Sequence, residues 1–165
     1  MKKLKLFEAL ALKKSMQAQL AQLISLRNST FEYPEDEKKP DMPFADLTLK
    51  IKQKVNDVTK LKIEIMKANM NHELPNGLTL YEGIIELANV RSAIDQLKEL
   101  GQVGRHGLYM SERRRSMSDI KMLKQVQSSE ILDLIDRYDA RRRVLDAHIQ
   151  DLNHSIEIDW DAEGE

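Results

Sequence analysis

The chain has 165 residues, 41% of them hydrophobic, 32% charged and 5% aromatic, with six glycines and four prolines; that size suits one domain and that composition favours long helices over a sheet. Twenty-six Lys and Arg against 27 Asp and Glu leave a net charge of −1, so no global field recruits duplex nucleic acid. The absence of cysteine excludes disulfides, thiolate catalysis and most zinc sites.

Met1-Lys2-Lys3-Leu4-Lys5-Leu6-Phe7 begins like a signal peptide, but Glu8 and then Lys13-Lys14 interrupt the apolar stretch. No run approaches the roughly 18 apolar residues of a membrane span. The expectation is a cytoplasmic protein with no membrane partner. A first helix is predicted over 4–28, where Leu6, Leu10, Met16, Leu20, Leu23 and Ile24 share a face opposite Lys13, Lys14, Gln17 and Arg27. A polar linker rich in Pro, Asp, Glu and Lys follows, as far as Pro43.

Pro43 suits a helix start. After it Phe44, Leu47, Ile51, Val55, Val58, Leu61, Ile65 and Ala68 recur at steps of three or four, a coiled-coil-like seam in a second helix over 43–72. Pro75-Asn76-Gly77 supplies a turn. Thr79 and Glu82 match a capping box. They open a third helix over 79–100 whose stripe is Ile84, Leu87, Val90, Ile94, Leu97 and Leu100, with Gly101 as its stop. The stretch 101–127 is read as an irregular arm, with alternation at Ile120, Met122 and Val126 suggesting a hairpin. A fourth helix over 129–156 carries Ile131, Ile135, Tyr138, Leu145, Ile149, Leu152 and Ile156. An acidic tail, 159–165, holds Trp160 and frays unless that ring docks. The expected fold is all-α: an elongated antiparallel bundle of about four long helices in a single domain, 1–158. Stripes wider than one neighbour can cover make a homo-oligomer the expected state.

Asn69-Met70-Asn71, then Asn76-Gly77-Leu78-Thr79-Leu80, a long helix containing Arg91, Tyr109, Ser118-Asp119-Ile120-Lys121-Met122-Leu123 and finally Asp146-Ala147-His148-Ile149-Gln150-Asp151-Leu152-Asn153 follow one another in a recognisable order. In this order and spacing the chain resembles the septicolysin-like proteins, small, uncharacterised all-helical proteins of bacteria and phages. It departs from them around Arg113-Arg114-Arg115 and at His154, where they place an aromatic. The resemblance implies an all-α, oligomeric protein of unassigned activity. The cytolysin implied by the family's name is disfavoured, because the chain has no membrane-active stretch.

No P-loop, dinucleotide fingerprint or nucleophile elbow is present. His72, His106, His148 and His154 form no His-x-x-x-His pair, and carboxylates on charged helices read as solvated faces. Neither an enzyme, a metal nor a cofactor is expected. The local anomaly is Gly104-Arg105-His106-Gly107-Leu108-Tyr109 with Arg113, Arg114, Arg115 and Lys121: from Arg105 to Lys124 six Lys/Arg stand against two acids. Two glycines around Arg105-His106 would let backbone amides approach a ligand, arginine forks suit phosphate oxygens, and Tyr109 or His106 suits stacking on a base. The competing reading is a basic surface loop that pairs with the acidic tail or with the acids at 35–37 of a neighbour.

Asn69 and Asn71 close the second helix and are candidate contacts for the same ligand; helix-end asparagines also satisfy carbonyls. Arg141-Arg142-Arg143 with Asp139 and Asp146 reads as a salt-bridged helix face. Together these features describe a non-catalytic homo-oligomeric binding protein for a small anionic, nucleotide-like ligand. In a phage it would act as a sponge for a host signalling nucleotide. A purely structural assembly protein is the alternative.

Overall fold

A computed structural model describes residues 2–36, 41–114 and 125–161, with side chains undescribed over 101–114. The element order is β1 (Lys2–Lys5), α1 (Leu6–Ser29), α2 (Phe44–Asn71), α3 (Leu80–Arg114), α4 (Ser128–Ser155) and β2 (Glu157–Trp160). The protein is all-α, with one two-stranded ribbon. It divides into two compact units: Met1–Glu73 with Asp151–Glu165, and Leu74–Gln150. Helix α4 is continuous through the boundary.

In the first unit, α1 starts where the Glu8 carboxylate accepts from the Lys5 backbone N–H at 2.8 Å. It ends at Thr30, whose hydroxyl donates to the Leu26 carbonyl at 2.8 Å. Such contacts satisfy backbone groups that have no partner within the helix. Pro43 precedes α2, whose buried side chains are Leu47, Ile51, Val58, Leu61, Ile65 and Ala68. That is the predicted seam with two exceptions: Phe44 and Val55 are exposed. Contacts of α1 residues 19 and 27 with α2 residues 54 and 44 show the two helices to be antiparallel. The Lys54 ammonium reaches the Gln19 amide oxygen at 3.1 Å, and Arg27 lies over the Phe44 ring. The stripe of α1 is less covered than expected: Leu6, Ala9 and Met16 are buried, whereas Leu20, Leu23 and Ile24 are half-buried.

The ribbon corrects the expected ends of the chain. Leu4 lies in a strand, not in the first helix, and residues 159 and 160, expected to fray unless the Trp160 ring docked, pair antiparallel with the N-terminus. The register is Lys2↔Trp160, Lys3↔Asp159, Leu4↔Ile158 and Lys5↔Glu157. Alternation gives the ribbon one face with Leu4, Ile158 and Trp160, all buried, and one with Lys3, Lys5, Glu157 and Asp159. The Lys5 ammonium meets the Glu157 carboxylate at 2.7 Å. The Leu6 N–H donates to the Ile156 carbonyl, which joins the ribbon to the start of α1.

In the second unit, α3 and α4 are bridged by Arg91–Asp146 at 2.8 Å and by Arg141–Glu86. Equal spacing of these two pairs would suit parallel helices, but chain length forbids that. Parallel helices in that register would part the end of α3 from the start of α4 by about 60 Å at 1.5 Å per residue. The 14 intervening steps span about 50 Å at most. The helices are antiparallel, and long arginine side chains reach along them to their carboxylates.

Candidate functional site

Helix α3 is launched as its sequence predicts. Leu74 and Leu78 are joined by a 2.7 Å backbone hydrogen bond around a turn whose Gly77 has φ +82°, a conformation that favours glycine. The Glu82 carboxylate then accepts from the Thr79 N–H at 2.8 Å, and the Glu82 N–H donates to the Thr79 hydroxyl at 3.2 Å. This reciprocal cap fixes the direction in which α3 leaves the turn.

The end of α3 differs from expectation. Gly101 does not stop it; the helix continues through Gly104 and Gly107 to Arg114. Glycine inside a helix costs about 1 kcal/mol against alanine, not enough to end one when the apolar pattern persists. Here it does persist: Leu80, Leu87, Ile94, Gly101 and Leu108 stand seven residues apart. Of the expected arm, 101–114 is therefore helical, and 115–124 lies outside the described residues.

This extension changes the chemistry available to the basic stretch. In an α-helix each N–H is engaged by the carbonyl four residues back. The amides around Arg105 and His106 therefore do not form the anion cradle that a glycine-bracketed loop would offer. Positions 105, 109 and 113 instead recur every four residues along one helical face, with 106 adjoining them, so the helix aligns Arg105, His106, Tyr109 and Arg113 by register. Arg114 ends the helix, and Arg115 and Lys121 lie outside the described residues. Asn69 and Asn71 belong to the first unit, in the last turn of α2, where Asn69 is half-buried and Asn71 exposed.

The charged face of α4 is built as the sequence indicated. The Arg142 guanidinium donates to Asp139 at 2.8 Å and to Asp146 at 3.3 Å, Arg143 lies 3.6 Å from Asp139, and Asp146 also receives Arg91. Arg142 falls between Tyr138 and Leu145 in the seam, so its paired guanidinium places a polar layer there. Around it, burial changes abruptly. Leu87, Val90 and Ile94 in α3 and Leu145 and Ile149 in α4 are buried. Past Ile94 in α3 and before Leu145 in α4 no described side chain is: Leu97, Ile131 and Ile135 are half-buried, and Leu100, Leu132, Leu134 and Tyr138 exposed. Sequence reasoning found Leu97, Leu100, Ile131, Ile135 and Tyr138 as stripe positions but not that this half would lack cover, nor that Ile84, a stripe position near the start of α3, would be exposed.

Three carboxyls are held below their ordinary values. For Glu82 the chief cause is the Thr79 N–H, for Asp139 the Arg142 guanidinium, and for Glu157 the Lys5 ammonium. A group whose pKa is depressed on folding adds stability above its unfolded value and loses it as pH falls through the folded one. Thermal melts followed by circular dichroism are therefore expected to shift downward as pH drops through 4.5 and 3.8, the ordinary Glu and Asp values, and below. Glu82→Gln and Asp139→Asn should each flatten that dependence; an unchanged slope in both would contradict the assignment.

Among the described residues no three His, Asp or Glu side chains are grouped to hold a metal ion, and no helix is long and apolar enough to cross a membrane. The open depression beside Lys50, Lys54, Asp57 and Lys60 is lined by α2 alone.

Helix-on-helix packing, a terminal ribbon and a half-covered seam define an all-α helix-packing protein. The chain belongs to a family described as a family of unknown function (DUF6847), matched over residues 13–158. Its fold is shared by a crystal structure described as a functionally unknown conserved protein from Corynebacterium diphtheriae. That protein is 22% identical, with a TM-score of 0.79 over 96% of this chain and 100% of that one. No curated protein matches the chain.

Proposed function

We propose that this chain is a non-catalytic assembly protein that acts in the cytoplasm by packing its helices against further copies of itself. One observation carries the reading: α3 and α4 keep an apolar stripe beyond Ile94 and before Leu145, yet none of its described side chains is buried there. Burying apolar surface is worth about 25 cal/mol per Å², so a stripe left half-wet is a standing drive towards association. Exposed apolar residues scattered singly need no explanation, but a continuous row on two adjacent helices does. Light scattering coupled to size-exclusion chromatography, at micromolar protein, is expected to give the mass of two or more copies. A monomer at all concentrations would reject the reading.

A second reading adds a ligand to that assembly: a small anion of nucleotide type held by Arg105, His106, Tyr109 and Arg113. It is supported by the shared helical face of these positions, which provides charge and stacking but not backbone amides. Small molecules released by denaturing the purified protein are expected to include a phosphorylated compound, chemically unchanged by the protein. Arg105→Ala and Arg113→Ala should lose it; extracts that contain none would leave assembly as the whole function. The proposed relation to septicolysin-like proteins adds an oligomeric state to this reading but no lytic activity. Liposome leakage at micromolar protein would overturn that exclusion.

A further inference from the structure

We infer that the partner of α4 is α4 of a second copy, packed antiparallel about a two-fold axis near residue 135. This deepens the self-association proposed above and rests on it. Glu130, Asp133, Leu134, Arg137, Arg141 and Val144 are all exposed and follow the steps of three and four that place residues on one helical arc. Along that arc the two acids come first, Leu134 next, and the two arginines and Val144 last.

Such an order is self-complementary in one orientation only. Antiparallel about residue 135, Asp133 lies level with Arg137 of the second copy, and Glu130 close to level with Arg141. Symmetry repeats both pairs, giving four ion pairs around Leu134. Val144, 54% exposed, closes the arc beyond the ion pairs. A parallel arrangement would set acids against acids and arginines against arginines, which costs affinity. A two-fold contact uses the same patch on both partners, as this arc permits. Within the chain, Glu130, Asp133 and Arg137 have no ion pair among the described residues. Arg141 already meets Glu86, and a second carboxylate from Glu130 of the other copy would complete its fork.

The absence of cysteine allows a direct test. Leu134→Cys, next to the axis, is expected to form a disulfide-linked dimer under mild oxidation of the full chain. Leu132→Cys, on another side of α4 and 61% exposed, should remain uncross-linked. In sedimentation velocity, Asp133→Arg and Arg137→Asp should each weaken dimerisation at least tenfold. The combined Asp133→Arg/Arg137→Asp chain should regain affinity to within about threefold of the original, because the exchanged charges again meet across the axis. All four positions are exposed, and far-UV circular dichroism verifies that each variant stays folded. A dimer indifferent to both reversals, or equal cross-linking at 132 and 134, overturns this interface while leaving self-association intact. An unmodified chain that stays monomeric overturns self-association itself.

Discussion

Trp160→Ala is expected to destabilise the protein by about 3–5 kcal/mol, the range for removing a buried large aromatic. In a chain of this size that lowers the melting temperature by roughly 6–20 °C, at about 2–4 °C per kcal/mol. The ring is 7% exposed at the end of β2, and its strand also buries Ile158 at 6% opposite Leu4 at 7%. A two-stranded ribbon alone is marginal in water. This one is held by its apolar face, since β2 also contacts α1 and α2, and Trp160 is the largest side chain on that face. Asp159, on the exposed face, supplies the control: Asp159→Ala should stay within about 0.5 kcal/mol of the parent. Urea unfolding followed by circular dichroism measures both. A Trp160→Ala chain within 1 kcal/mol of the parent would show that the ribbon decorates the first unit without stabilising it.

The ribbon also shows where sequence reading falls short. Ile156-Glu157-Ile158-Asp159-Trp160 alternates apolar and acidic residues, a period of two, and Lys3 and Lys5 offer matching charges at the other end of the chain. The signal was present in both halves, but each half is only four residues long. Pairing across more than 150 residues has no local signature, so β1 read as the start of a helix and β2 as a tail. The seams of α2 and of the early part of α3 were legible because a stripe repeated over many turns averages out single exceptions such as Phe44, Val55 and Ile84. The reach of α3 was obscured by Gly101, a residue that ends helices when the pattern ends with it; here Leu108 keeps the pattern in phase.

The candidate site was legible as composition but not as geometry. Arg105, His106, Tyr109 and Arg113 stood out by charge, yet whether glycines free the backbone amides or a helix engages them depends on the helix boundary. The covered and uncovered halves of the α3–α4 stripe are indistinguishable in sequence. Leu97 and Ile135 have the same character as Leu87 and Ile149, and only the three-dimensional arrangement decides which are buried.

Leu80→Ala is expected to cost the second unit about 2–5 kcal/mol, the range for truncating a buried leucine. Leu80 is wholly buried at the first position of α3, directly after the capped turn, whereas its neighbour Tyr81 is 46% exposed. One step along a helix turns a side chain by about 100°, so adjacent residues can report on different environments. Tyr81→Ala should therefore cost much less than Leu80→Ala. The cavity at position 80 should be poorly relieved, because the turn before it is pinned by the Leu74–Leu78 hydrogen bond and Leu74 is itself buried. Circular dichroism reports the helices of both units, and the emission of the single tryptophan reports the ribbon of the first. Because α4 runs unbroken from one unit into the other, Leu80→Ala is expected to move both transitions together. A shift in ellipticity with tryptophan emission unchanged would show instead that the units unfold separately, with α4 breaking near residue 150.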